Sequence, residues 1–398
     1  MWKTKKLGDI CQFVRGPFGG SLKKSFFVKN GLAVYEQKNA IKNQCKDFRY
    51  FITQKKFKEM SRFAVNAGDI LMSCSGTIGK STIVPKGAPK GIINQALLKI
   101  TPSDVLDVRF LKFYMESKIF IEQLMDTVDG AAIQNVASVK ILKNITIYLP
   151  PLNEQKRIVL KLDEIFTEID RAIGSSEKSI LTAQTGLENV IDQKTLEKKS
   201  WNTFKVSELG LVQTGSTPKT SNKDNYGNEV PFIKPPHFNS DGTISITNDG
   251  LSTKGSKFSR KTPQNSVMMV CIGATIGKVG ICNRDVCFNQ QINSLAPDSK
   301  FDAEFIYWQM RGNRFQKAVL RESGKATLPI INKSKWQDLK VHIPPSLEDQ
   351  VAVRNTLRII NNNTETYCLS MSMKIKELHK LKLSILNYEL LPEKSEAA

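Results

Sequence analysis

The 398-residue sequence contains no apolar run approaching the roughly 18 residues that a membrane-crossing helix needs. It has no Cys-x-x-Cys pair. Its seven cysteines come no closer than Cys282 and Cys287 with four residues between, and its three histidines, His237, His342 and His379, are scattered. A structural zinc site wants its ligands in close pairs, so the pattern speaks against a metal centre and for buried free thiols. The opening "MWKTKKLGDICQF" is basic but no apolar stretch follows it, so no signal peptide is expected and a cytoplasmic location is. No glycine-rich turn after a strand offers a seat for S-adenosylmethionine, and no paired carboxylates with a basic partner suggest a nuclease. Acidic residues are also scarce, 38 against 58 Lys and Arg, for a formal charge of +20. Such an excess points to a polyanionic partner, most often nucleic acid.

What the sequence does have is itself, twice. "WKTKKLGDICQFV" from Trp2 returns as "WNTFKVSELGLVQ" from Trp201, and "GDILMSCSGTIGK" as "NSVMMVCIGATIGK". "INQALLKI" and "FNQQINSL" align Asn94 with Asn289, and "NITIYLPPLNEQKRI" and "DLKVHIPPSLEDQVAV" align Gln155 with Gln350. The landmarks keep one order at nearly constant offset. The period is too long for a solenoid, so the chain reads as two tandem copies of one composite module.

Two stretches invite a catalytic reading and fail it. "CSGTIGKST", Cys74 to Thr82, looks like a phosphate loop. That loop needs G-x-x-x-x-G-K-[ST] between a strand and a helix. The first glycine position here is Cys74, the second copy has Ile272 there and Val279 at the hydroxyl position, and "STIVPK" and "VGICNR" read as strands. A strand-to-strand turn fits better, with Gly76, Gly79, Gly273 and Gly277 free to take positive φ and Lys80 and Lys278 projecting from it. "KPPHF", Lys234 to Phe238, resembles the Asn/Asp-Pro-Pro-aromatic loop of amino-methyltransferases, but lysine replaces the acceptor and His237 the aromatic.

Each copy begins with about 150 residues of short β-rich runs, turns and a few helical runs, an α+β pattern. Each continues after Pro-Pro into a long helix. In the first, Asn153 is the expected N-cap, and Ile158, Leu162, Ile165 and Ile169 form a stripe that resumes with shifted phase at Ile180, Leu187 and Ile191. In the second, Leu357, Thr364, Met371, Leu378 and Ile385 recur every seven residues. A second series, Ile360, Tyr367, Lys374, Leu381 and Tyr388, follows three residues behind. Helices of nearly fifty residues would expose their seams alone, so the two are expected to pair antiparallel. The charge is unevenly spread. Residues 1–152 hold 24 Lys+Arg against 11 Asp+Glu and residues 201–346 hold 19 against 11, whereas the helical segments balance at 8 against 9 and 7 against 7. Two basic globular parts joined by neutral rods suit a double-stranded nucleic acid touched at two places.

The repeated "GDILMSCSGTIGK" and "NSVMMVCIGATIGK", "INQ" and "FNQQ", and above all "LPPLNEQKRIVLKLDEIFTEID" with "IPPSLEDQVAVRNTLRIINNN", resemble the specificity subunit of type I restriction–modification systems, over essentially the whole chain. The second junction departs from the pattern by one extra residue and by Glu348-Asp349 ahead of Gln350. The resemblance implies an α+β chain of two tandem α/β target-recognition domains, each followed by a long helix. The helices would pair as an antiparallel coiled coil with pseudo-two-fold symmetry. The expected boundaries are 1–152 and 201–346 for the recognition domains, 153–200 and 347–391 for the spacer helices, and 392–398 for a tail. Ile158, Leu162, Ile165, Ile169, Leu187, Leu357, Ile360, Met371, Leu378, Leu381 and Ile385 would pack the spacer. The chain would be non-catalytic and bind a bipartite DNA target. Two methyltransferase subunits carrying S-adenosylmethionine, and two motor–nuclease subunits using ATP and magnesium, would join it.

Base reading needs Arg, Lys, Asn or Gln in a groove. The candidates are Arg15, Lys23, Lys24, Gln37, Lys38, Lys80, Asn94 and Gln95 in the first copy. In the second they are Lys219, Lys234, His237, Lys278, Asn289 and Gln290. The Asn-Gln pairs occur in both copies, and domains reading different sequences share scaffold rather than readers. The divergent segments 15–45 and 213–260 are therefore the better place for readers. Two other classes stay open. A fused methyltransferase would be active with S-adenosylmethionine alone. A basic coiled-coil scaffold would bind DNA with salt-dependent affinity indifferent to sequence.

Overall fold

A computed structural model describes residues 2–74, 79–125, 139–196, 198–239, 241–247, 249–324 and 328–392. The chain divides into two compact units, residues 1–175 with 373–398, and residues 176–372. Each unit holds one globular part and one end of each long helix.

In the first unit a four-stranded antiparallel sheet runs in the order Cys11–Arg15, Leu97–Pro102, Ile70–Ser73, Ser81–Ile83. A second sheet takes the order Phe27–Val28, Phe51–Ile52, Leu32–Tyr35, Gly91–Ile93, its last pair parallel. Lys3–Lys6 pairs with Thr146–Leu149 and closes the globular part just before the Pro-Pro junction. The second unit repeats the first sheet strand for strand: Gly210–Thr214, Ile292–Pro297, Val267–Val270, Val279–Ile281. It repeats the closing pair as Asn202–Lys205 with Lys340–Ile343. Its other sheet differs. Three strands, Phe232–Ile233, Val286–Phe288 and Lys261–Thr262, keep only the parallel pair in common, and a separate pair, Tyr226–Gly227 with Gly250–Leu251, is added. The duplication therefore survives in the frame and lapses in what the frame carries.

The next described elements after Ile70–Ser73 and Val267–Val270 are the strands Ser81–Ile83 and Val279–Ile281, not the helix a phosphate loop requires. Gly79, Gly273 and Gly277 take positive φ, at 81°, 98° and 89°. Gly76 and Thr77 lie outside the described residues. The helical runs of each copy are interrupted once, Val108–Glu116 from Lys118–Met125 at Ser117, and Ala303–Arg311 from Asn313–Glu322 at Gly312.

The long helices are Leu152–Lys194 and Leu347–Glu389, 43 residues each rather than nearly fifty. The first starts ahead of Asn153. The carbonyl of Pro151 accepts from Glu154 and Gln155 N–H, so the proline rather than Asn153 stands at the N-cap. It stops six residues short of the expected end, where Thr195 turns back and bonds Ile191 O through its own hydroxyl.

In the first unit Ile158, Leu162 and Ile169 are buried, with Ile165, Leu378 and Ile385 packed against the same core. The helix ends run antiparallel there. Lys382 Nζ meets Asp170 at 2.7 Å and Lys161 Nζ meets Glu389 at 3.1 Å, so the partner number rises as the first falls. In the second unit Leu187, Ile191 and Leu357 share one core, with Ile360 against it, and Met371 is half-buried. The expected second series of the last helix is displaced. Tyr367, Lys374, Leu381 and Tyr388 are exposed, Leu381 by 48%. The inward positions fall one residue later, at Asn361, Cys368, Ile375, Lys382 and Glu389. Heptad contacts alternate three and four residues apart, and the Leu357 series is followed by the four-residue step. Three of those five positions are polar or charged, so apolar periodicity alone does not reveal them.

Candidate nucleic-acid interface

At one end of the shared sheet, the first strand finishes beside the Asn-Gln turn. Gly16 N–H donates to Leu97 O at 2.9 Å and Gly215 N–H to Ile292 O at 3.0 Å. A Cβ on Gly16 would lie 1.8 Å from Asn94 O, and one on Gly215 2.2 Å from Asn289 O, so only glycine permits the approach. The turns are held from within. Asn94 Oδ1 accepts from Ala96 N–H and Asn289 Oδ1 from Gln291 N–H, both at 3.1 Å. Their own N–H groups reach Tyr35 O and Ile233 O at 3.0 Å. Asn94 and Asn289 are thus committed to the turn, while Gln95 and Gln290 stand exposed at its tip.

In the first unit this end gathers Arg15, Gln37, Lys80, Asn94 and Gln95. Gln37 Nε2 donates to Ser73 Oγ at 2.9 Å, and Ser73 N–H to Lys80 O at 2.8 Å. Lys38 pairs with Asp47 at 3.3 Å. Lys23 and Lys24 are exposed at a short 3-10 turn leading into Phe27–Val28, and nothing described joins them to the others. In the second unit the end gathers Lys234, His237, Lys278, Asn289 and Gln290. Lys234 and His237 share the turn Pro235–His237, whose first N–H, of Lys234, donates to His237 Nδ1 at 3.3 Å. Burial first and Lys234 second hold His237 below the ordinary histidine pKa. Lys278 Nζ donates to Phe238 O at 3.1 Å, Thr217 donates to Gln290, and exposed Lys219 follows two residues after Thr217.

Sequence reasoning missed Phe18 and the pair Phe258 and Arg260, which stand at the same ends. Phe18 is 67% exposed and Phe258 63%. The glycines around Phe18 were a usable signal. Nothing in the sequence tied Phe258 to a loop some forty residues earlier.

All seven cysteines are unbridged and six are buried. Burial pushes Cys11 and Cys271 up to about 12 and Cys74 up to about 11, so these three are not poised as thiolates at neutral pH. Among the described residues no group of three His, Cys, Asp or Glu could hold a metal ion, and no helix is long and apolar enough to cross a membrane.

Two copies of one basic α+β part, each offering a loop-built polar end and each seated on ends of long helices, define a duplicated recognition protein. The comparisons give that class its family. Residues 1–176 and 198–367 match the type I restriction modification DNA specificity domain, and the chain belongs to that family. Its role there is that of a non-catalytic specificity subunit. The HindI specificity subunit of Haemophilus influenzae is 36% identical over 154 residues, which are 38% of this chain and 33% of that protein. The putative MjaX specificity subunit of Methanocaldococcus jannaschii is 24% identical over 97% of this chain and 92% of its own. The fold is shared with a solved chain from work on assembly and conformational transition of the type I R-M system, with TM-score 0.78 and 16% identity over 98% of both chains. It is also shared with the HsdS subunit from Thermoanaerobacter tengcongensis, with TM-score 0.56 and 16% identity over 98% and 96%.

Proposed function

We propose that each globular part reads one half of a bipartite double-stranded DNA target through the loop end described above. The long helices set the gap between the halves and dock two methyltransferase subunits, and two motor–nuclease subunits join for cleavage, in the cytoplasm. S-adenosylmethionine then belongs to the methyltransferase, and ATP and magnesium to the motor–nuclease. One observation carries the reading: the two copies share their frame down to single hydrogen bonds, yet the segments mounted on it differ in topology. A protein reading two unlike half-sites needs that division.

Arg15, Lys23, Lys24, Gln37, Lys38, Lys80 and Gln95, with Lys219, Lys234, His237, Lys278 and Gln290, are the side chains available for phosphates and base edges. Arg and Lys suit guanine, and Gln suits adenine. Asn94 and Asn289 support the turn that presents them. Each 43-residue helix is about 65 Å long at 1.5 Å per residue, long enough to act as a spacer.

The test is adenine methylation across the host genome with and without this gene. Loss of methylation at one split, asymmetric motif is expected, and exchanging residues 1–150 for those of another family member should change one half of that motif alone. If the methyltransferase partners are present and active and no motif disappears, the chain does not read sequence and the scaffold reading replaces this one.

A further inference from the structure

Both units display an exposed phenylalanine at the loop end, with an arginine near it in the sequence, and they take it from different parts of the chain. In the first unit the pair lies in one loop, "RGPFGGS". Pro17 is buried and anchors the loop's base, while Phe18 is 67% exposed. The Arg15 guanidinium lies 5.7 Å from the ring centroid. The glycines at 16, 19 and 20 add no side chains of their own around the ring.

In the second unit the position matching Phe18, counted from the paired glycines, is Thr217. The aromatic is supplied by a separate segment. Ser259 Oγ donates to Ser216 O at 2.7 Å, Arg260 N–H to Ser216 Oγ at 2.9 Å, and Arg260 Nη1 to Thr214 O at 2.7 Å. These bonds bind Ser259 and Arg260 to the loop that replaces "RGPF", and the adjoining Phe258 is 63% exposed. Two unrelated segments thus deliver an exposed phenyl ring to the same loop end, with an arginine within three residues of it in the chain. A scattered surface phenylalanine needs no explanation, but this coincidence at the polar end of both units does.

We propose that Phe18 and Phe258 are DNA-contacting wedges, each stacking on a nucleobase at a base step opened in its own half-site, with Arg15 and Arg260 against the flanking phosphates. The inference rests on the reading of this end as the DNA-facing one. Apolar wedges unstack base steps and bend the duplex, and the cost depends on the step, so each ring contributes selectivity for a deformable step without any hydrogen bond to a base.

The test uses the chain assembled with its methyltransferase partners and a duplex carrying the methylated motif. Wild type, Phe18→Ala, Phe258→Ala and the conservative Phe18→Trp and Phe258→Trp are compared for affinity. Each alanine variant is expected to bind about tenfold more weakly, in line with base–aromatic stacking, with unchanged thermal unfolding, and each tryptophan variant to retain affinity and lose emission on binding. An abasic site at the stacked nucleotide should erase the difference between wild type and the alanine variant in that half-site only. Wild-type affinity for the motif in both alanine variants would overturn the proposal while leaving sequence reading intact. So would loss of methyltransferase assembly with unchanged DNA affinity of the assembled fraction, because the rings would then face a protein. Equal binding of motif and scrambled duplex by the wild type would remove the sequence-reading function, and this inference with it.

Discussion

Set side by side, the two copies agree where backbone geometry dictates a residue and differ where only a charge sign or a surface is required. Gln155 and Gln350 are buried at the start of the long helices and make the same three bonds. Each Oε1 accepts from the N–H of an aspartate, Asp107 or Asp302, at 2.8 Å. Each Nε2 donates to two carbonyls, Val105 and Pro150 in one copy, Lys300 and Pro344 in the other. Those aspartates in turn cap the helices Val108–Glu116 and Ala303–Arg311. The N–H of Lys118 donates to Asn387 Oδ1 at 2.8 Å, and that of Asn313 to Asp192 Oδ1 at 2.7 Å. A carboxamide or carboxylate oxygen serves equally there, and the identity drifts. At the exposed bridge between the capped helix and the long helix the charges are reversed outright: Arg109 pairs with Asp163, and Glu304 with Arg358.

The largest expected effect comes from breaking the shared clamp. Gln155→Leu leaves an amide N–H and two carbonyls without their partner in a buried site, and Gln350→Leu does the same in the other copy. Unsatisfied buried groups cost about 1–3 kcal/mol each, so with three of them at least about 3 kcal/mol is expected for either variant. Calorimetry should show each substitution lowering the transition of its own unit by a similar amount. A loss in one copy and none in the other would mean that the repeated bonds do not do repeated work.

The reversed bridge sharpens the comparison at smaller scale. Arg109→Glu places like charges together and should cost about 1 kcal/mol, in the range of exposed ion pairs, since Arg109 is half exposed. Adding Asp163→Arg rebuilds the second copy's polarity in the first and should recover most of that loss, and the double-mutant cycle measures the coupling. Without recovery, the sign at these positions would not be free, and the contrast drawn above would fail there.

Much of this arrangement was legible beforehand, for physical reasons. The duplication, the short strands and the existence and partnering of the long helices follow from repeated landmarks and from periodicity. The seam of the last helix was misplaced by one residue because Asn361, Lys382 and Glu389 occupy it, and their inward direction depends on partners such as Asp170 and Lys161 that periodicity does not see. The ends of the first long helix moved because Pro151 and Thr195 serve as its boundaries. At the loop end, cations and amides could be proposed residue by residue. The placing of Phe258 and Arg260 against Thr214 and Ser216 is a tertiary event with no local signature.

The smallest effect separates two equivalent turns. In the first copy Glu36 N–H donates to Asn39 Oδ1 at 2.8 Å. In the second copy Lys234 N–H donates to His237 Nδ1 at 3.3 Å. Asparagine accepts at any pH, whereas protonated imidazole cannot accept. His237 is held below the ordinary value of 6.5, mainly by burial and then by Lys234, so the folded chain binds this proton less readily than the unfolded one. Its stabilising contribution is therefore intact at neutral pH and is lost as pH falls from the unfolded value down through the folded one. On going from about pH 7 to about pH 5, spanning the usual histidine range, the second unit's transition should fall relative to the first unit's. His237→Asn should flatten that difference, and the imidazole resonances of His237 should titrate below those of a free histidine. A titration at or above the free value would mean that the proton is accommodated without breaking the turn, and the two turns would then be alike in chemistry as well as in form.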